Sequence, residues 1–377
     1  MSETHLLRRA RFPRATKQET AMTRIASSLR LDLVPPDERD ATAPSTTTTS
    51  PPGTPSSGGT SPRTLRRGAR GPEVVEAQNL LLRAGYSLQR YGADGRFGGE
   101  TNAAVLRFQK ANGLPQTGSF DARTLKTLAA TPPPKPNYDA LFADGVLRGV
   151  LAVGYDESGA QEPERTELIQ RLEQRGFHPV TRAERAELGL GATGRFVTKF
   201  IERHGAPARV LLELVTDEDP DAKQRFAAAM RTQELVLYGG HGRYGSGPDF
   251  DDIRSPAGNF VIGAPFEPGH VTVGKNDLDA TPLTPGYQLM FFDGCNTFRY
   301  FDDLRVRTGK GNATLDVIGS NDELYWHDTA ENLLAALDGF TSEQDLEELG
   351  FAFDLVNRRG PQNHAFRSDG FEDNTPR

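Results

Sequence analysis

The chain has 377 residues, with 51 acidic side chains against 44 Lys and Arg, a formal net charge of −7 and a single cysteine. The mild acidity argues against a nucleic-acid partner, and one cysteine excludes both an intramolecular disulfide and a multi-cysteine metal site. No run approaches the roughly 20 apolar residues that a membrane-spanning helix needs.

The first 62 residues predict a disordered arm. Residues 1–40 are rich in Arg, and residues 41–62 form a low-complexity tract of Thr, Ser, Pro and Gly. Such a segment cannot bury enough apolar surface to offset the entropy of ordering it. Because no apolar block of a secretory signal follows the start, we expect a protein that is cytoplasmic as synthesised. Export by a dedicated secretion or injection system stays open.

Residues 64–130 predict a compact module of three helices, because apolar side chains recur there with helical spacing between glycine-containing turns. The segment resembles the three-helix peptidoglycan-binding domain over its whole length. The positions that carry the resemblance are 65–68 (LRRG), 71–74 (GPEV), 94–98 (DGRFG), Thr101, Ala104, Val105, Phe108, Gln109, Gly113 and Leu114. The resemblance implies that this module binds peptidoglycan or docks onto a protein.

A stiff Pro-rich spacer at 131–137 precedes the largest predicted domain, residues 138–377. Five runs are β-rich without alternation, as in strands buried on both faces: 147–155, 210–215, 235–238, 289–292 and 315–319. Helical patterns occur at 163–175, 193–204, 220–232, 298–306, 328–338 and 342–356. This alternation predicts an α/β domain with a mostly parallel sheet and helices on both faces.

Two candidate catalytic residues each follow a strand-like run. His241 ends the sequence LVLYGGH, and Cys295 ends LMFFDGC. Reactive residues of parallel sheets lie beyond the carboxyl ends of the strands, so we expect these two to meet. A thiol is mostly protonated at neutral pH and needs a base to act as a nucleophile. The N–H groups of Gly242 and Cys295 are candidate oxyanion donors, since a glycine allows close backbone approach.

The two motifs resemble those of the caspase-like cysteine peptidases, a group that includes caspases, metacaspases, legumains, gingipains and separases. The resemblance is carried by YGGHG at 238–242, by FFDGCN at 291–296 and by the order of His before Cys. It implies a caspase-like fold and an endopeptidase with a Cys295–His241 dyad that cleaves proteins or peptides and requires no cofactor. The alternative is a buried cysteine with a packing role only.

The resemblance also implies a specificity. Metacaspase-like members carry an acid two positions before the cysteine, in the S1 pocket, and Asp293 stands there. A carboxylate in such a pocket selects Arg or Lys at P1. The alternative is that Asp293 caps a turn. Tyr325, Trp326 and His327, after the last strand-like run, are candidates for the substrate cleft.

Metal sites have weaker support from the sequence. Metacaspases bind calcium through acids downstream of both motifs, and the candidate ligands here are Asp249, Asp251, Asp252, Asp302 and Asp303. Solvated turns are the alternative for these acids. The seven histidines form no His-x-x-x-His, His-x-His or His-Glu-x-x-His pair, so a zinc site is not expected.

Two other functions stay open. A peptidoglycan-binding-like module before a cysteine domain is also similar to the L,D-transpeptidases, whose signature has His and Gly directly before the cysteine and Arg two places after it. The sequence around Cys295 lacks that His and that Arg, and the family's catalytic domain is nearly all β. The other candidate is a non-catalytic scaffold, or an effector cargo with a peptidase-like domain, in which Cys295 and His241 do not work as a pair.

Overall fold

The computed structural model of the chain describes residues 64–155, 161–242, 248–250, 283–298, 304–310, 313–359 and 364–374. The arm predicted at 1–62 lies outside these residues. Within the described ranges, no helix combines the length and the apolar character that crossing a membrane requires.

Residues 64–130 fold into three helices around a core of their own, as the sequence predicts. The helices are α1 (Pro72–Arg83), α2 (Gly99–Ala111) and α3 (Ala122–Ala130). Val74, Val105 and Phe108 are fully buried between them, and Phe97 and Phe120 from the turns complete the cluster with edge-on ring packing. The module thus buries an apolar cluster separate from the two that flank the sheet.

Two buried glutamines connect the helices of this module. Gln78 on α1 donates to Thr101 Oγ1 on α2 at 3.0 Å, and Gln109 on α2 donates to Thr124 Oγ1 on α3 at 3.0 Å. Each glutamine also accepts a backbone N–H from the turn that follows its helix. Because buried polar groups need partners, these positions have a structural role in the module.

The described residues after 145 include the strands of one eight-stranded sheet. The strands are β1 (Val146–Val153), β2 (His178–Pro179), β3 (Arg195–Arg203), β4 (Ala206–Thr216), β5 (Leu235–Gly239), β6 (Gln288–Asp293), β7 (Leu315–Ser320) and β8 (Phe366–Asp369). Their order is β2-β3-β4-β1-β5-β6-β7-β8. The five central strands β4, β1, β5, β6 and β7 run parallel, while β2–β3, β3–β4 and β7–β8 pair antiparallel. The mostly parallel sheet is therefore confirmed.

Helices cover both faces of the sheet. They are α4 (Tyr138–Leu141), α5 (Gln161–Gln174), α6 (Arg182–Glu187), α7 (Ala222–Thr232), α8 (Leu304–Arg307), α9 (Thr329–Thr341) and α10 (Leu346–Val356). One apolar cluster joins the sheet to α5, α9 and α10, and a second joins its other face to α7 and α8. The helix predicted at 298–306 falls mostly on 299–303, which lie outside the described residues.

The prediction of a helix at 193–204 is wrong, because this segment forms β3. The strand pairs antiparallel with β4 along all nine of its residues. Val197 and Thr198 are buried, and β-branched side chains of this kind favour a strand. The turn between β3 and β4 consists of His204 and Gly205, with φ of 50° and 79°. Positive φ at both residues is the requirement of a type I′ hairpin turn, which a His-Gly pair between two β-rich runs could have indicated.

The Pro-rich segment at 131–137 lies against the α/β domain. The Leu346 N–H at the start of α10 donates to Pro134 O at 2.9 Å, and the Asn137 N–H donates to Tyr287 Oη at 3.0 Å. Composition predicts a stiff spacer but does not reveal these hydrogen bonds. The segment therefore connects the two parts of the chain while packing on one of them.

The helical module also contacts the β8 edge of the sheet. Arg367 Nη1, on β8, donates to Gln89 O at 2.8 Å and to Leu88 O at 3.4 Å, both in the turn between α1 and α2. Arg107 Nε of α2 lies 3.9 Å from Glu372 Oε1, just beyond β8. Side chains on β8 and just after it thus contact both the turn and the second helix of the module.

Candidate active site

His241 and Cys295 follow neighbouring strands of the sheet. β5 and β6 pair in parallel, and their last residues, Gly239 and Asp293, are partners in the register. Every residue of both strands is buried. His241 and Cys295 each stand two residues beyond the end of their strand. The two loops therefore leave the sheet side by side at its carboxyl edge, as the sequence predicts.

Glycines allow the two loops to touch along their backbones. The Gly240 N–H donates to Asp293 O at 2.8 Å. A Cβ at Gly242 would overlap Cys295 O, and a Cβ at Gly294 would overlap Gly240 O. Glycine is required at 242 and 294 because any side chain there would push the His241 loop away from the Cys295 loop.

A buried threonine and a buried serine hold the start of the Cys295 loop. Thr297 Oγ1 donates to Phe292 O at 2.7 Å and accepts the Ser320 N–H at 3.0 Å. Ser320 Oγ, at the end of β7, donates to Gly294 O. Both side chains are fully buried. The loop that carries the thiol is thus connected to two adjacent strands, which limits its freedom to move.

The segment that follows β7, residues 321–328 (the β7 loop), lies against the Cys295 thiol. The Asn296 N–H donates to Asp322 O at 2.9 Å, and Asn296 has a φ of 55°, a conformation that Asn tolerates better than most residues. Cys295 Sγ donates to Leu324 O at 3.7 Å. The β7 loop therefore supplies the described hydrogen-bond acceptor of the thiol.

The thiol stands in an environment that disfavours the thiolate. Burial is the main cause that raises the pKa of Cys295 above its ordinary value. The negative charges of Glu323 and Asp293 raise this pKa further. The resting thiol is consequently protonated at neutral pH, and a base is needed to make it a nucleophile.

His241 is half-buried, and its backbone carbonyl accepts a hydrogen bond from a buried tyrosine of β5. Tyr238 Oη donates to His241 O at 3.1 Å and accepts the Asp249 N–H at 2.9 Å. The tyrosine ring itself is fully buried against the α7 face. The described hydrogen bond of the Cys295 thiol goes to Leu324 O, not to the imidazole. The structure therefore brings the two loops together, with the thiol proton directed at the β7 loop.

Asp293, expected in an S1 pocket, has a side chain in the interior of the domain. It is 1% exposed, and its Oδ1 accepts the Asn332 amide of α9 at 3.0 Å. Asn357 Nδ2 donates to Asn332 Oδ1 at 2.8 Å, which orients the amide so that its Nδ2 faces Asp293. The carboxylate that the sequence assigns to specificity is thus hydrogen-bonded to the buried amide of Asn332, which is in turn bonded to the half-buried amide of Asn357.

The other predicted cleft residues lie on the β7 loop. Tyr325 is 68% exposed, and its ring stacks on that of His327 with centroids 5.4 Å apart. Trp326 begins a short 3-10 helix, Trp326–Asp328. Since Leu324 directly precedes this pair and contacts the thiol, the stacked rings stand close to the candidate nucleophile.

The calcium site stays a prediction, because four of its five candidate ligands lie outside the described residues. Asp249 is fully buried, whereas the other candidates lie outside the described residues: Asp251, Asp252, Asp302 and Asp303. Among the residues that the structure describes, no group of three or more His, Cys, Asp or Glu side chains is arranged to hold a metal ion.

Several residues that shape the site were not found by sequence reasoning. Leu324 acts through a backbone carbonyl, which carries no signal in the sequence. Asn332 lies in a helix far from both motifs. A polar Tyr238 inside an apolar strand, and Ser320 at the end of another, were the visible signs that buried hydroxyl groups support the two loops.

Residues 70–128 match the family described as putative peptidoglycan binding domain. The helical module is a peptidoglycan-binding domain by sequence. The chain is also 42% identical over 66 residues to a probable N-acetylmuramoyl-L-alanine amidase of Bacillus licheniformis, and 44% identical over 66 residues to the amidase CwlL of the same organism. Each match covers 18% of this chain, and 19% and 18% of the respective relative. The chain thus spans less than a fifth of these relatives.

Solved structures give matches of similar extent. The N-terminal domain of SleB is 35% identical, with 18% of this chain and 90% of that chain covered and a TM-score of 0.17. A fused Zn-dependent amidase/peptidase/peptidoglycan-binding protein from Clostridium acetobutylicum is 31% identical over 21% of this chain and 39% of its own, with a TM-score of 0.18. An L,D-transpeptidase from Xylanimonas cellulosilytica is 34% identical over 25% of this chain and 41% of its own, with a TM-score of 0.19. Each of these matches covers a quarter of this chain or less.

Proposed function

We propose that the chain is a cysteine endopeptidase of the caspase-like type, joined to a peptidoglycan-binding domain. The observation that carries the proposal is the parallel pairing of β5 with β6, which sets His241 and Cys295 at the same offset beyond adjacent strand ends. Close backbone contact at Gly242 and Gly294 supports it, because that contact holds the loop of His241 against the loop of Cys295.

In the proposed reaction Cys295 Sγ attacks the scissile carbonyl carbon while its proton passes to His241. A carbon–sulfur bond forms, and the N–H groups of Gly242 and Cys295 stabilise the oxyanion. His241 then donates the proton to the leaving amine as the carbon–nitrogen bond breaks, and water hydrolyses the acyl-enzyme. Because burial holds the thiol in its protonated form, the hydrogen bond to Leu324 O must break before His241 takes the proton.

The proposed substrates are proteins or peptides with Arg or Lys at P1, and the negative charge of the buried Asp293 is proposed to favour them from beneath the site. Tyr325, Trp326 and His327 are proposed to line the cleft for neighbouring substrate residues, and the exposed Tyr325–His327 stack supports this. Calcium bound by the acidic loops after each motif remains a further proposal that concerns activation rather than the chemical step.

The helical module is proposed to bind peptidoglycan, in keeping with its family and with the amidases that share part of its sequence. Docking onto a protein is the other use open to such a module. An amidase activity is not proposed for this chain, because the shared part spans a fifth or less of those enzymes. We propose synthesis in the cytoplasm, with export by a dedicated secretion or injection system as the alternative to residence there.

One observation favours a second candidate, a non-catalytic scaffold. The thiol of Cys295 donates to Leu324 O rather than to the imidazole of His241. A protein in which this arrangement persists would carry a peptidase-like domain without turnover. The L,D-transpeptidase alternative receives no comparable support, because the sheet is mostly parallel and flanked by helices.

The decisive experiment is turnover of fluorogenic peptides that end in Arg, Lys or Asp, by the full chain and by its Cys295→Ala and His241→Gln variants. We expect cleavage after Arg and Lys by the wild type and loss of turnover in both variants. Activity that survives Cys295→Ala would eliminate the mechanism. A preference for Asp over Arg would eliminate the role given to Asp293, and no turnover by any form would favour the scaffold.

Binding to peptidoglycan has a separate test. The full-length Cys295→Ala variant, which cannot digest a peptide, is sedimented with purified peptidoglycan and with an equal mass of cellulose as the control polymer. We expect enrichment in the peptidoglycan pellet only. Equal amounts in the two pellets would count against the peptidoglycan-binding role and in favour of a protein-docking role.

A further inference from the structure

Two carboxylates act on the thiol, and they differ in their access to a substrate. Asp293 is 1% exposed and accepts the amide of Asn332. Glu323, on the β7 loop, is exposed to solvent. Both charges raise the pKa of Cys295, so both lie within electrostatic range of its sulfur. Of the two, Glu323 is the one that is open to solvent.

The backbone that carries Glu323 is held in place on both sides. Its N–H donates to Asp322 Oδ1 at 2.9 Å, and Asp322 O accepts the Asn296 N–H next to the nucleophile. On its other side Leu324 O accepts the thiol hydrogen bond. The backbone of Glu323 therefore lies beside Cys295, on a stretch of chain whose two flanking residues contact Asn296 and the Cys295 sulfur.

We propose that Glu323 receives the cationic side chain of the substrate, and that this contact couples substrate binding to formation of the thiolate. The inference rests on the proposed peptidase function and names a specificity residue and an activation step at the same site. The ligand chemistry is an ammonium or guanidinium group carried by a peptide close to its scissile bond.

The physical argument is electrostatic. A negative charge beside a thiol disfavours the thiolate, and a cation that pairs with that charge removes the effect. Among the described residues, the charges that act on the sulfur are those of Glu323 on the β7 loop and of the buried Asp293, and His241 stands on the neighbouring loop after β5. A substrate cation paired with Glu323 neutralises the negative charge on that side of the sulfur. The thiolate then becomes less unfavourable, so His241 can accept the thiol proton more readily. A neutral substrate brings no such change.

The single cysteine allows a direct test on the full chain. The rate of Cys295 alkylation by iodoacetamide is measured against pH, with and without agmatine as a guanidinium probe, for the wild type, Glu323→Gln and the control Glu347→Gln. Glu347 is exposed on α10. We expect agmatine to lower the pH midpoint of Cys295 alkylation by about half a pH unit in the wild type and in the control. The Glu323→Gln midpoint should be low already and should not respond.

A second measurement compares kcat/KM for matched peptides with Arg or its neutral analogue citrulline. We expect Glu323→Gln to reduce the Arg-to-citrulline ratio by about three- to tenfold, the range of an ion pair at a partly exposed site, and Glu347→Gln to leave it unchanged. A ratio that falls in Asp293→Asn but not in Glu323→Gln would overturn the proposal in favour of the buried acid.

The two measurements separate the failure of this inference from that of the peptidase function. If the wild type cleaves no peptide, the peptidase proposal fails, and the alkylation profiles still decide on Glu323. A wild-type midpoint that does not move with agmatine, or one that moves equally in Glu323→Gln, would refute the coupling even if the chain proves to be a peptidase.

Discussion

A buried acid on β7 predicts an unusual dependence of stability on pH. Asp316 is fully buried at the end of β7 opposite the active site, where Tyr287 Oη and Asn374 Nδ2 both donate to its Oδ2. Burial raises the pKa of Asp316 to about 7, although the two hydrogen bonds and the charge of Arg305 act to lower it. The folded protein therefore keeps this carboxyl protonated to near neutral pH.

The sign of the effect follows from the two protonation states. The unfolded chain releases the Asp316 proton above about pH 4, while the folded chain holds it up to about pH 7. The stability that this difference contributes is complete below the unfolded pKa and is lost as the pH rises through the folded pKa. At about 1.4 kcal/mol per pKa unit, the loss amounts to about 3 kcal/mol between about pH 5 and pH 8.

The change Asp316→Asn tests this reasoning, because an amide has the shape of the protonated acid and does not titrate. Its Oδ1 can accept the hydrogen bonds from Tyr287 and Asn374, so the fold should persist. Urea unfolding of the full chain, followed by circular dichroism, gives the free energy of unfolding of both proteins at each pH. We expect the variant to gain about 3 kcal/mol relative to the wild type from about pH 5 to pH 8. Parallel profiles would refute the argument.

Three other substitutions follow from contacts described above. Gly294→Ala should abolish peptide cleavage, because the alanine Cβ would push the Cys295 loop away from the His241 loop, while the circular dichroism spectrum stays unchanged. A variant that cleaves peptides as fast as the wild type would show that this backbone contact is not needed for cleavage. Arg367→Ala removes both hydrogen bonds to the turn between α1 and α2, at Leu88 O and Gln89 O, and should speed tryptic cleavage of the chain between the module and the sheet. As the internal control, kcat/KM on short peptides should stay unchanged. Asn332→Leu takes the amide from the Asp293 carboxylate and should lower the unfolding free energy by about 1–3 kcal/mol, and no loss would show that the pair is unimportant for stability.

The main features of the fold could be predicted because they depend on patterns that the sequence carries. Strands buried on both faces appear as unbroken apolar runs, and five such runs became the five parallel strands. The error at 193–204 has a local cause. Helical spacing and strand alternation are hard to separate in a short segment, and the turn at His204 and Gly205, which decides in favour of a hairpin, lay at the edge of the segment.

The candidate site was predictable at the level of strand ends and not at the level of side chains. That His241 and Cys295 leave adjacent strands follows from the order of motifs in a parallel sheet. The acceptor of the thiol proton is a backbone carbonyl, at Leu324, which any residue could supply. The position of Asp293 in the interior depends on its partner Asn332, and nothing in the sequence pairs a residue of β6 with one of α9.

The contacts between module and sheet have a consequence for how the protein would act on a large substrate. With Pro134 bonded to the start of α10 and Arg367 bonded to the module turn, a polymer held by the module sits at a set distance from Cys295. A flexible linker would let the nucleophile search a volume that grows with linker length. Here the contacts between module and sheet define the distance from the attachment point to Cys295, so only substrate bonds at about that distance would reach the thiol.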